Sequence, residues 1–202
     1  SIDSILKREI SIQGIPGLTI AISIDTSIVW EKAYGYTDLA NKVPTTLTTK
    51  FRSASVGKPM TASAIMQLVE KEKINLNDPI EKYYSSFPPK KWPVSVYHLL
   101  THQSGIRAYQ GEESVNIKHY KNIQQAFRIF ENDSLLFEPG TAHAYSSFNY
   151  NLLGAIIEKA SRKNFAAYMK KYVFKAANMN NTVIEEVNTT YQNYAKGYRY
   201  LD

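Results

Sequence analysis

Phe51-Arg52-Ser53-Ala54-Ser55-Val56-Gly57-Lys58-Pro59-Met60-Thr61-Ala62 is the most informative stretch of this chain of 202 residues. From Met60 onward, Ala64, Ile65, Leu68 and Val69 recur at helical spacing, which predicts a helix from about Ser55 to Lys73. Ser55 and Lys58 stand three residues apart, so a helix puts the hydroxyl and the amine on one face, where the lysine can take the serine proton. The free N–H groups and positive dipole end of a helix start also favour a developing oxyanion. Pro59 suits the first turn, which has no N–H obligation. Ser-x-x-Lys alone is a weak signal, since Ser4-Ile5-Leu6-Lys7 repeats it. No preceding strand or turn exposes that hydroxyl, and Ser4 reads as a decoy.

Upstream, Ile2 to Ile12 carries the spacing of a short amphipathic helix, broken by Gln13-Gly14-Ile15-Pro16-Gly17. Leu18 to Ile24 alternates, Asp25-Thr26-Ser27 turns, and Ile28 to Tyr36 returns, the pattern of a β-hairpin. Trp30, Tyr34 and Tyr36 read as strand packing. Two strands are marginal alone, so the hairpin requires further strands or covering helices. Downstream come the Pro-rich Phe87 to Pro93 connection, a short helix around Val96 to Thr101, and turns at Ser104-Gly105 and Glu138-Pro139-Gly140. Leu152, Leu153, Ile156, Ile157 and Ala160 define another amphipathic helix, and Phe165 to Ala177 continues with helical spacing.

With 44% hydrophobic and 21% charged residues, no repeat and no linker, residues 1–202 are expected to form a single globular domain. Its fold class is α/β (α+β): an antiparallel sheet flanked by helices, with residues 1–54 opening the sheet region, 55–177 mainly helical and 178–202 leading out of it. The net charge of +6 is scattered, Lys90-Lys91 and Lys170-Lys171 being the longest basic pairs, which describes a solvated surface and not a nucleic-acid partner. Zero cysteines exclude disulfides, thiolate nucleophiles and sulfur-based zinc sites. His98 and His102 are spaced as a metal pair, yet Leu99 stands where a zincin needs its glutamate and no third ligand is near, so His102 is expected to serve the turn. No apolar run approaches the roughly 20 residues of a spanning helix. The first residues lack a signal peptide, which a mature chain would have shed, and an extracytoplasmic location in the periplasm or cell envelope is expected.

A second catalytic element, Tyr-x-Asn or Tyr-x-Ser, has four matches among fifteen tyrosines: Tyr84-Ser85-Ser86, Tyr120-Lys121-Asn122, Tyr145-Ser146-Ser147 and Tyr191-Gln192-Asn193. Only Tyr145 lies between a Pro-Gly turn and a strongly amphipathic helix, the setting of a loop that presents its phenol. Three segments then agree in order. Phe51 to Ala62, Leu99-Leu100-Thr101-His102-Gln103-Ser104-Gly105-Ile106, and Glu138-Pro139-Gly140 through Tyr145-Ser146-Ser147 to Leu152-Leu153-Gly154 resemble the serine β-lactamase and penicillin-binding-protein superfamily. The resemblance runs from about Ile15 to Tyr198 and is strongest to the class C β-lactamase, D-Ala-D-Ala carboxypeptidase and esterase branch.

The resemblance implies a division of labour: Ser55 attacks a carbonyl, Lys58 and Tyr145 relay protons, and Ser147 hydrogen-bonds substrate or Lys58. The expected reaction is hydrolysis of a peptide, ester or β-lactam carbonyl through a serine ester, with neither metal nor organic cofactor. Ser147 stands where the family more often has Asn, which shortens the side chain and removes an amide. The family's third element, Lys or His, a small residue and Gly, supplies an oxyanion N–H. It does not follow Tyr145 in this chain. These residues are therefore expected to be part of a larger enzyme whose remaining strands partner the sheet. Loss of one oxyanion donor lowers turnover roughly a hundredfold to a thousandfold. A binding or self-assembling module that keeps the fold without catalysis is the alternative, discriminated by a covalent serine probe.

Overall fold

A computed structural model describes residues 1–186 and 188–199. It resolves into two compact units, Ser1–Ala54 with Glu185–Asp202, and Ser55–Ile184.

In the first unit, helix α1 (Ile2–Ile12) is capped by Ser1, whose side chain accepts the Ser4 N–H. Ser4, the decoy, spends its own hydroxyl on Ser1. Strands β1 (Gly17–Ile24) and β2 (Ser27–Asp38) form the antiparallel hairpin, reversed at Asp25 with φ of 52°. A short strand, β3 (Val43–Pro44), extends it to the order β1-β2-β3. β3 has no sequence signature, because two residues ending in proline show no alternation. Gly35 bends β2: at its φ of +68° a Cβ would stand 2.1 Å from Pro16 O, while the next residue, Tyr36, donates its N–H to that same carbonyl. Tyr34 is buried and its hydroxyl donates to Asp3 of α1 at 2.9 Å, so this tyrosine ties strand to helix. Residues near the other end join in, with Lys50 and Asn193 paired through backbone and Thr49 donating to Asn193 Oδ1.

Asp38 is the one buried acid among the described residues of this unit. The Lys196 ammonium at 2.6 Å, then the Asn41 amide at 2.7 Å, hold its carboxyl down at about 2 from an ordinary 3.8. A depressed folded-state pKa contributes stability above the unfolded value that is lost as pH falls through the folded one. Chemical denaturation at successive pH values is therefore expected to show stability declining from about pH 4 to pH 2. Lys196→Met should flatten that decline, and an equally steep one in the variant would remove Asp38 from the account.

The second unit is built around α6 (Ser147–Ser161), whose Leu152, Leu153, Gly154, Ala155, Ile156 and Ile157 are all buried. A helix apolar on so many sides must be surrounded. α2 (Gly57–Glu70), α3 (Ile80–Tyr83), α4 (Val96–Leu100), α5 (Ile123–Phe127) and α7 (Phe165–Tyr168) all pack on it. Ala64, Ile65 and Leu68 of α2, Ile80 of α3, Val96 and Leu99 of α4, Phe127 of α5 and Tyr168 of α7 are the buried partners. The Phe165 to Ala177 helix has an α-helical turn followed by a π-helical one, Met169–Phe174, which periodicity alone cannot separate. No helix among the described residues is long and apolar enough to cross a membrane.

Candidate active site

Ser55, Lys58, Tyr145 and Ser147 all lie in the second unit. Ala54 adopts a left-handed φ of 45°, an unfavourable conformation for a residue with a Cβ, and Ser55 follows in the 3-10 turn Ala54–Val56. The α-helix begins two residues later than the spacing suggests and ends at Glu70, because Glu72 turns left-handed at φ 54°. Pro59 is its third residue, where the helix has no use for an N–H. Ser55 is thus an exposed hydroxyl at the mouth of α2, with the positive end of the helix beside it.

The structure brings three of the sequence-selected groups together. Lys58 Nζ donates to Ser55 Oγ at 3.0 Å, and Tyr145 donates its phenol O–H to the same oxygen at 2.8 Å. Lys58, half-buried, also lies over the Tyr145 ring at 4.9 Å and the Tyr150 ring at 5.6 Å. Hydrogen bonding with Lys58, then with Ser55, lowers the Tyr145 phenol below its ordinary value, with Ser147 a smaller contributor in the same direction. Ser147 is half-buried at the first position of α6, beside Tyr145. The competing tyrosines are occupied elsewhere: Tyr84 donates to Ala155 O, Tyr120 accepts from Asn116, and Tyr191 accepts the Glu186 N–H.

Sequence reasoning missed the support beneath Tyr145. His102, at φ 57°, turns its ring under the phenol, with centroids 4.5 Å apart and planes at 37°. Its Nδ1 accepts the Ser146 N–H at 3.2 Å and faces the Asn149 amide nitrogen at 3.3 Å. Asn149, fully buried in α6, accepts from Ser104 Oγ at 2.8 Å, and that oxygen accepts the Ile106 N–H. Ser146 Oγ donates to Arg107 O at 2.6 Å. Gly105, at φ +74°, lets the turn close, since a Cβ there would meet Phe137 O at 2.5 Å. Burial, then His143 and Lys58, disfavours the charged form of His102. His98 Nδ1 instead accepts the Ser95 N–H at the start of α4. Among the described residues no three His, Asp or Glu side chains gather as metal ligands would.

Comparison with known proteins points the same way. The sequence profile of the Beta-lactamase family matches residues 2–201. The human mitochondrial serine beta-lactamase-like protein LACTB is 29% identical over 257 aligned positions, covering 93% of this chain and 47% of that protein. Protein flp of Staphylococcus aureus (strain COL) is 31% identical over 202, covering 98% and 40%. The octameric penicillin-binding protein homologue from Pyrococcus abyssi superposes with a TM-score of 0.78 at 31% identity, over 88% of this chain and 42% of that one. The chain spans less than half the length of these three proteins.

Proposed function

The chain belongs to the Beta-lactamase family, with its serine-hydrolase-like fold, and from that premise we propose that Ser55 is the nucleophile of an acyl-transfer hydrolase. The observation that carries this reading is the meeting of Lys58 Nζ and Tyr145 OH on Ser55 Oγ, at 3.0 and 2.8 Å. A nucleophile and its base within hydrogen-bond reach are the first requirement of covalent catalysis. Substrates are peptide, ester or β-lactam carbonyls, taken without metal or organic cofactor. An extracytoplasmic setting, and a single domain formed by both units, belong to the same proposal.

In the acylation step the Tyr145 phenol, which donates to Ser55, first ionises, a change that the neighbouring ammonium promotes; the Ser55 oxygen then bonds to the carbonyl carbon as its proton passes to the phenolate. The carbonyl oxygen takes the electron pair, and its collapse expels the leaving group, which leaves with the proton from Tyr145. Water then attacks the ester carbon, giving its proton to Tyr145; collapse of that intermediate breaks the bond from the carbon to the Ser55 oxygen and releases the acid, and the proton returns from Tyr145 to Ser55. Lys58 holds the charge on both oxygens throughout. Ser147, beside the phenol, is positioned to contact substrate.

Intact-protein mass spectrometry with a fluorophosphonate tests this. A single adduct is expected on the native chain and on Ser4→Ala, and none on Ser55→Ala. A folded chain without an adduct, or one whose adduct survives Ser55→Ala, would overturn the assignment. The octameric state of the Pyrococcus abyssi homologue favours a second reading, a self-assembling module. It predicts a concentration-dependent mass by light scattering with no adduct.

A further inference from the structure

We infer that His102 is a positioning residue for the proposed acyl transfer: a neutral ring, clamped by Ser146 and Asn149, on which Tyr145 is seated so that its phenol oxygen meets Ser55. The inference rests on the reading of Ser55 as nucleophile and assigns a task to a residue outside the three reacting groups. Two nitrogens that carry hydrogens converge on His102 Nδ1, the Ser146 N–H and the Asn149 amide. Nδ1 must therefore be the acceptor and Nε2 the protonated nitrogen. A proton added at Nδ1 would face both donors, and burial opposes it further. The ring lies 4.5 Å from that of Tyr145 and 5.3 Å from that of Tyr150.

The clamp is anchored away from the solvent. Asn149 belongs to the fully buried stretch of α6 and is fixed by Ser104. The position of the Tyr145 ring is thereby referred to the core of the second unit, although Tyr145 itself is exposed. The groups facing the phenol are Lys58 and Ser55 on one side, His102 with His143 behind it, Ser147 along the chain, and Tyr150 of α6. Lys58 supplies the positive charge, and a neutral plate beneath leaves its hydrogen bond to the phenol undisturbed. Without the plate the ring is free to swing. A misplacement of about 1 Å in such a constellation slows the reaction as much as a hundredfold.

His102→Asn separates the plate from the clamp. Its amide oxygen falls near the place of Nδ1, and asparagine tolerates a left-handed φ, so the hydrogen bonds and the turn survive while the ring is lost. The Tyr145 phenol is followed by NMR of tyrosine labelled at the ring carbon bearing oxygen, assigned with Tyr145→Phe. In His102→Asn its ionisation is expected to move to higher pH, with Tm nearly unchanged and phosphonylation of Ser55 roughly ten- to a hundredfold slower. His102→Phe, which keeps a ring but leaves two donors unpaired, should show a lower Tm with a Tyr145 titration near that of the native chain. An unmoved titration in His102→Asn, with or without a fall in Tm, would reduce His102 to a structural residue and overturn the inference. If the folded native chain forms no adduct while the titration moves as stated, the acyl-transfer reading fails and the clamp stands.

Discussion

Replacing Lys58 by Met is expected to slow phosphonylation of Ser55 by on the order of 10²- to 10³-fold, the usual cost of removing one donor that stabilises charge on the reacting oxygens. Met keeps the apolar stem over the Tyr145 and Tyr150 rings and removes only the ammonium, so Tm should stay within a few degrees. The pH dependence is the sharper test. In the native chain the hydrogen bond from Lys58 is the foremost cause of the lowered Tyr145 pKa. Without it the phenol returns towards its ordinary 10.0, and less phenolate is present at neutral pH. The rising limb of rate against pH should move upward, and alkaline solution should recover part of the lost rate. A Lys58→Met chain labelled at the native rate with the native profile would remove Lys58 from the chemistry.

Arg107→Ala is expected to lower the unfolding free energy by about 3 kcal/mol, the lower end of the range for breaking a buried ion pair. Every N–H of this guanidinium is used: two reach Glu113 at 2.7 and 3.0 Å, one reaches Asp133 at 2.6 Å, and the others meet the carbonyls of Ala108 and Ile129 at 3.0 Å. The group also lies over the Phe148 ring at 5.4 Å. Truncation leaves those acceptors without their donor, and Glu113, with a side chain 25% exposed, and the Ile129 carbonyl, on a half-buried residue, are less able to turn to water than Asp133 or exposed Ala108. Arg107→Lys should recover little, because a single ammonium cannot reproduce a fork bonded in five directions. Urea denaturation gives the value directly. A loss below about 1 kcal/mol would mean that the segment from Ala108 to Asp133 relaxes to satisfy its own acceptors.

Elements whose pattern is local were legible in the sequence. The hairpin showed in the alternation of Leu18 to Ile24 and its return after Asp25, and α6 showed in the spacing of Leu152 to Ala160. Ser55 and Lys58 could be paired because three residues along a turn bring side chains together whatever surrounds them. Tyr145 was singled out by its neighbours, a Pro-Gly turn before and an apolar helix after. What stayed hidden depends on contacts distant in sequence or on single torsions. β3 is two residues long and is defined by its pairing to Tyr36 and Asp38. His102 and Tyr145 are 43 residues apart, and their stacking follows from one positive φ and from an asparagine buried in another helix. A histidine that faces two nitrogens and a tyrosine ring has no sequence signature distinct from a histidine that closes a turn.

The first residue of the second unit is Ser55, and that unit contains Lys58, Tyr145, His102 and Asn149 as well as the helix that anchors them. The meeting of Ser55, Lys58 and Tyr145 is thus encoded within one contiguous segment, 55–184, with its own core. Recombination between related genes that exchanged only the flanking coding sequence would transmit that arrangement whole. A lineage could then vary what flanks the serine while inheriting unaltered the lysine and the tyrosine that meet at its hydroxyl.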